Sequence, residues 1–255
     1  MPPAVLAPGD PPPVSVAVPG GRPDLLLVGD HAGNAIPASL GDLGIGAVDR
    51  GRHIAWDIGV RALGEGVAAI LGATFVHQRF SRLVIDCNRD PGATDAILAL
   101  SDGTPVPGNA GLDRAARDAR RIEIHEAYHQ RIADEIALRH RPGSLRPLVV
   151  ALHSFVPALG AIPRPWHVGV LHDAGDTRAS QAMLARLRRE ADLVVGDNEP
   201  YRMNGTDYTI PRHAYQRSLP YIELEIRQDL IAEAEGTRRW AARCAVWLTD
   251  VLAQV

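Results

Sequence analysis

Cysteine is scarce in this chain of 255 residues: two are present, Cys87 and Cys244, far apart in sequence. Two distant thiols give no disulfide framework, which fits a reducing compartment and makes the cytoplasm the expected location. Long apolar runs are missing too. Nowhere do the roughly 18 uninterrupted apolar residues of a membrane helix occur. Residues 1–23 are rich in proline and glycine and lack both a charged leader and an apolar core, so neither insertion nor export is expected. There is no long basic run, and the formal net charge is −3. No nucleic-acid or anionic-membrane footprint is therefore expected, and a small molecule is the expected partner. Several catalytic signatures are absent as well. No G-x-S-x-G elbow and no Walker-type phosphate loop occur, and Gly64-Glu65-Gly66 inside a helical stretch is too little for a dinucleotide fingerprint.

What the chain does have is apolar content and alternation. Hydrophobic residues make up 46% of it, which supplies a sizeable core, and the length suits a single α/β domain over residues 1–255. The proline-rich residues 1–13 are expected to form an irregular arm, followed by a short edge strand at 14–18. Leu25-Leu26-Leu27-Val28 is too short for a helix and too apolar for a loop, so it reads as a strand buried on both faces. Further strands are expected at 73–77, 82–86, 148–152, 167–172, 193–195 and 221–227. Helices are expected from about residue 54, with Ile54, Ile58, Val67, Ile70 and Leu71 on one face, then at 113–140, at 177–190 and from about residue 229. The alternation predicts a three-layer α/β/α sandwich around a mostly parallel, mixed sheet. Polar loops at 90–111 and 197–217 are long for a compact domain, and the first is a candidate lid.

Ligands of open α/β sheets bind outside the carboxyl ends of strands. Three apolar runs end in polar residues: 25–29 in Asp30-His31, 82–85 in Asp86-Cys87-Asn88-Arg89, and 148–152 in His153-Ser154. Together they outline a pocket with three polar walls. On the 221–227 strand, strict alternation puts Ile222, Leu224 and Ile226 on one face and Glu223, Glu225 and Arg227 on the other. His31, His153 and Asp57 make one candidate metal set, with Glu225 as a base. Two imidazoles and a carboxylate leave one position of zinc open for a water whose pKa falls to about 7. Each residue alone has a plainer reading. The histidines read as hydrogen-bonded loop residues, Asp57 as an acid favoured by a helix dipole, and Glu223 with Glu225 as an exposed strand face.

A second set is His125-Glu126-Ala127-Tyr128-His129, an H-E-x-x-H pattern on a segment expected to be helical, as in zinc metallopeptidases. In that reading the histidines bind zinc and Glu126 activates water. The plainer reading packs His125 and His129 on the sheet, because Ile122, His125, His129, Ile132 and Ile136 share a face by the three-and-four rule. A non-catalytic, small-ligand-binding α/β module is the remaining alternative, and a metal assay separates it from both.

Four motifs in one order resemble the N-formylglutamate amidohydrolase family. They are Val28-Gly29-Asp30-His31-Ala32-Gly33-Asn34-Ala35-Ile36-Pro37, Ser81-Arg82-Leu83-Val84-Ile85-Asp86-Cys87-Asn88-Arg89, Leu152-His153-Ser154-Phe155 and Leu224-Glu225-Ile226-Arg227-Gln228-Asp229-Leu230. The resemblance spans residues 25–231 and implies a fold similar to zinc carboxypeptidases and the aspartoacylase group. It implies that His31 and His153 match the two metal-binding histidines, Asp86, Asn88 and Arg89 a D-x-N-R run, and Glu225 a late acid. Asn34 stands where the wider relatives place a carboxylate ligand, and a neutral amide is a poorer zinc ligand. Asp57 is the candidate for that third bond, with Asn34 or a water as the alternative. The expected reaction is hydrolysis of the N-acyl amide, N-formyl above all, of an acidic amino acid, using Zn2+ or another divalent metal. Arg89 is the expected carboxylate clamp, since a planar guanidinium holds a carboxylate bidentately, with Asn88 orienting it. Arg82, Tyr208, His213 and Arg212 are further candidates for substrate contact.

Overall fold

The computed structural model describes residues 4–139 and 146–255. Among these, seven strands form the main sheet: β1 (Val14–Ala17), β2 (Leu25–Gly29), β3 (Thr74–Gln78), β4 (Leu148–Phe155), β5 (Val168–Leu171), β6 (Val195–Asp197) and β7 (Tyr221–Arg227). The spatial order is β1-β3-β2-β4-β7-β5-β6. Pairs β1/β3 and β5/β7 are antiparallel and the other neighbours parallel. The central strands are apolar because helices cover both faces. Leu25 to Val28 have no exposed surface, and burying each such side chain is worth about 1.5–3 kcal/mol.

Of the helices α1 (Val60–Leu71), α2 (Arg114–Arg120), α3 (Ala127–Arg139), α4 (Arg178–Leu187), α5 (Thr209–His213) and α6 (Ala234–Leu252), all but α2, whose Ala119 is buried in a separate cluster, divide between the two faces. Val60, Leu63 and Val67 of α1, Leu184 of α4 and Trp240, Trp247 and Leu248 of α6 pack with Leu25, Leu27, Val150, Leu152, Ile222 and Leu224. On the other face Tyr128, Ile132 and Ile136 of α3 and Ile210 of α5 meet Leu26, Val28, Val149, Ala151 and Tyr221. The expected three layers and mixed, mostly parallel sheet are therefore present. No helix among the described residues is long and apolar enough to cross a membrane.

Four expectations are corrected. Residues 82–86 form a turn, not a strand: Leu83, Val84 and Ile85 are buried in a third apolar cluster with Val5, Ile54, Phe80 and Ile124, built mostly from loops together with the helical residues Ala119 and Ile124. The helix expected from residue 54 begins at Val60, and Ile70 lies exposed. The helix expected over 113–140 starts as predicted, Asp113 capping it by accepting from the Ala116 amide, but a π-helical turn, Arg121–Glu126, separates α2 from α3. The extra residue of such a turn rotates the two segments relative to each other, so Ile122 points outward while His125, His129, Ile132 and Ile136 point inward. Its expected end at His140 lies outside the described residues. The last helix begins at Ala234, after a 3-10 turn, Gln228–Leu230.

Candidate metal centre

His31 lies just beyond the carboxyl end of β2, and His153 lies near that of β4. Asp57 reaches the same point from the loop before α1, whose path is fixed by the Asp57 amide donating to the His31 carbonyl at 2.8 Å. Gly33 permits the sharp exit from His31: a Cβ there would sit 2.1 Å from the Arg79 carbonyl oxygen. The two imidazole rings are 5.1 Å apart, centre to centre. Asp57 Oδ2 lies 3.4 Å from His31 Nδ1 and 3.0 Å from His153 Nδ1. Roughly 3.3 Å separates ligand atoms arranged tetrahedrally at bond lengths near 2.0 Å, so these spacings fit a small divalent cation. His31 Nδ1 is buried without a hydrogen-bond partner, which is costly unless something else fills the position.

The ring nitrogens on the far side meet carboxylates. His31 Nε2 is 2.7 Å from Asp86 Oδ1, and His153 Nε2 is 3.3 Å from Asp30 Oδ2. Carboxylates behind imidazoles orient metal-binding rings and raise their basicity. Arg82 donates through Nε and Nη2 to the same oxygen, Asp86 Oδ2, at 3.0 and 2.6 Å and lies 3.6 Å from Asp57. Burial pushes the Asp30 carboxyl up, but the His153 ring outweighs it and leaves the group at about 2. Burial pulls the His153 imidazole down, and Asp30 and Asp57 overcome that and raise it.

Parallel pairing of β7 with β4 sets Glu225 opposite His153. Both sit in a cavity of about 450 Å³ that is also lined by Arg82, Asn88, Arg89, Arg202, Asp207 and Glu223. Glu223 and Glu225 are buried, not solvated. Burial, with repulsion from Asp57, lifts Glu225 to about 7, and burial likewise lifts Glu223 to about 8. Glu225 Oε2 has no hydrogen-bond partner, so it is not committed to another side chain.

Other expected residues fall elsewhere. Asn88 lines the cavity, but its side-chain oxygen accepts from the Tyr208 and Thr209 amides at 2.9 Å each, so it shapes the 197–217 loop. Tyr208 and His213 lie outside the cavity. Tyr208 packs on His125 and His129 and under Arg212, and His213 Nε2 is 2.9 Å from His129 Nδ1. Asn34 Nδ2 donates to the Arg50 carbonyl at 3.5 Å, and Asn34 does not line the cavity that holds the two histidines. The 90–111 loop contributes no wall to this cavity; its Asp95 pairs with Arg89 at 3.2 Å and its Asp102 with Arg52 at 3.1 Å. The covering segment is instead 200–207, which brings in Tyr201, Arg202 and Asp207. Sequence reasoning passed over Arg202, whose only signal was the polar character of that loop.

The H-E-x-x-H reading is overturned by side-chain direction. His125 Nε2 meets the Arg89 carbonyl at 3.0 Å and His129 Nε2 the Cys87 carbonyl at 2.9 Å, while Glu126 is exposed and paired with Arg121. These histidines hold the segment carrying Asp86, Asn88 and Arg89. Among the described residues, His31, Asp57 and His153 form the one cluster able to hold a metal.

A family model for N-formylglutamate amidohydrolase matches residues 24–232. No curated protein matches. A gene product of Agrobacterium tumefaciens with a solved structure is 36% identical, with 98% of each chain covered and a TM-score of 0.92. The N-formylglutamate amidohydrolase of Ralstonia eutropha shares the fold at 21% identity and a TM-score of 0.66, over 96% of this chain and 98% of that one. The chain belongs to the N-formylglutamate amidohydrolase family, and with its buried His31, Asp57 and His153 it is a metal-dependent amidohydrolase.

Proposed function

We propose that the chain hydrolyses the N-acyl amide, N-formyl above all, of an acidic amino acid such as N-formyl-L-glutamate, and that its metal is zinc held by His31, Asp57 and His153. The observation that carries this reading is the orphaned His31 Nδ1, 3.4 Å from Asp57 Oδ2 beside the His153 ring. Bound there, zinc supplies Lewis-acid polarisation of an amide carbonyl and acidifies water. Glu225 takes a proton from water in the cavity and returns it to the leaving amine, a role suited to a carboxyl lifted toward neutral pH. Arg82 fixes Asp86, and through it the His31 ring. A substrate carboxylate is gripped from the cavity wall. Arg89 is partly engaged there, donating to the Asn88 carbonyl at 2.8 Å and pairing with Asp95. Arg202 lines the same cavity with no hydrogen bond or ion pair among the described residues, so its guanidinium is the freer clamp.

The same reading takes residues 1–255 as one catalytic domain in a reducing cytoplasm, consistent with two free, buried cysteines. It also relates the sheet to the zinc carboxypeptidase and aspartoacylase group, on the motifs alone. The test is metal analysis of protein purified without chelators, with a screen of formyl, acetyl, succinyl and carbamoyl amino acids for release of free amine. Zinc at one equivalent per chain and fastest turnover of N-formylglutamate support the reading; a metal-free protein that turns over none of them sinks it.

A further inference from the structure

A second cavity, of about 640 Å³, opens on the far side of the segments that carry His31 and Asp57, and it shares no lining residue with the first. Its walls come from Ala32–Ala35, Trp56, Ile58, the first two turns of α1 including Glu65, His77, Arg79 and the segment that begins α6, with Pro11 alongside; Glu65 is the one carboxylate among them. Two helices begin at it. The first residues of α1 and Ala234 of α6 line the wall, and neither helix has a side-chain cap. The Val60 amide of α1 donates to the Asp57 carbonyl at 3.2 Å; the other first-turn N–H groups have no side-chain cap, and their dipoles favour an anion.

Helix ends alone do not make a site, but three side chains at this cavity point the same way. His77 is 1% exposed and its Nε2 makes no hydrogen bond, lying 3.8 Å from Glu65 Oε1. Its Nδ1 lies 3.3 Å from the Gln78 carbonyl; donating there leaves Nε2 as an acceptor, able to take a hydroxyl or N–H. Trp56 Nε1 is likewise buried without an acceptor. Arg79 is half-buried, and its guanidinium makes no hydrogen bond or ion pair among the described residues, whereas neighbouring Arg61 is paired with Glu65 at 2.9 Å. Between these polar groups lie Trp56, Ile58 and Ile231, which suit an apolar body.

We propose that this cavity is a second binding site, for a small organic acid with an apolar body, one carboxylate and one hydroxyl or N–H. The carboxylate meets Arg79 and the helix ends, the hydroxyl or N–H donates to His77 Nε2, and the body packs on Trp56 and Ile231. Because the wall includes the neighbours of both His31 and Asp57, occupancy is placed to stiffen the metal centre from behind.

The test is calorimetric titration of the full chain with 3-phenyllactate, its neutral amide and 3-phenylpropionate, which lacks the hydroxyl. Saturable binding of 3-phenyllactate is expected, weaker by about tenfold or more for each of the other two, since each loses one charge-assisted or buried hydrogen bond. Arg79→Gln should weaken 3-phenyllactate about tenfold and leave the amide unchanged. Ala62→Trp, at an exposed helix position on the rim, should block both while deformylase turnover stays at its original rate. Absence of saturable binding overturns the proposal. So does binding that survives Ala62→Trp, or that N-formylglutamate displaces competitively, because either places the ligand outside this cavity.

Discussion

In the proposed reaction Glu225 is the general base, and its neighbourhood suits it to that role. It faces His153 across a parallel strand pair, and burial lifts it to about 7. A group placed so is half-ready to give or take a proton near neutral pH. Glu225→Gln keeps the shape and removes the base, so kcat is expected to fall by about 10²–10⁴ with metal content unchanged. Turnover and elemental analysis on one preparation check this together. His153→Ala, by contrast, removes a ligand and should lose metal and activity in parallel. The two arginines separate in kinetics. Arg202→Gln should raise KM with little change in kcat, because it removes binding that is equal in ground and transition states. Arg89→Gln should lower stability as well, since Arg89 links Asp95 to the Asn88 carbonyl. An unchanged KM in Arg202→Gln would return the clamp to Arg89.

At the scale of elements, legibility followed the kind of burial. Leu25–Gly29 and Tyr221–Arg227 could be read from sequence because a strand covered on both faces is continuously apolar, and one with a polar pocket on one face alternates. Leu83-Val84-Ile85 has the same local pattern but is buried by loops and the N-terminal arm, and periodicity over four residues does not separate the cases. His125 and His129 were legible as inward-facing, but not what they face. That depends on the 82–89 turn and on α5, distant in sequence. Their pairing predicts a pH effect. Burial pulls His213 down to about 3 and holds His129 well below its ordinary value. Below about pH 6.5 the unfolded chain binds protons there that the folded chain refuses, so stability falls with pH by ~1.4 kcal/mol per pH unit for each such group. The loss for His213 runs from about pH 6.5 down to about 3. Urea unfolding across pH 4–7 should therefore give a shallower slope for His213→Asn than for the parent chain; equal slopes would mean that His213 titrates normally in the fold.

Across the whole molecule, the centre joins parts that meet only on folding. His31 follows β2, Asp57 precedes α1, His153 lies near the end of β4 and Glu225 comes from β7, so the site was legible as residues of the right types near element ends while its distances were not. The covering loop was misassigned for the same reason: 90–111 and 197–217 are equally polar and long, and only sheet order decides that 200–207 lies over the strand ends. The centre packs Asp30, Asp57 and Asp86 around two imidazoles, and His31 Nδ1 makes no hydrogen bond. A metal that binds the folded chain alone stabilises it by mass action, about 4 kcal/mol when free metal stands at roughly 1,000 times its Kd. At about 2–4 °C per kcal/mol for a chain of this size, chelation should lower Tm by on the order of 10 °C, and restoring zinc should recover it. In His153→Ala the ligand set is incomplete, so chelator and zinc should both leave Tm nearly unmoved. A parent chain whose Tm ignores the chelator while the chelator holds all free metal would mean that these three residues bind no ion.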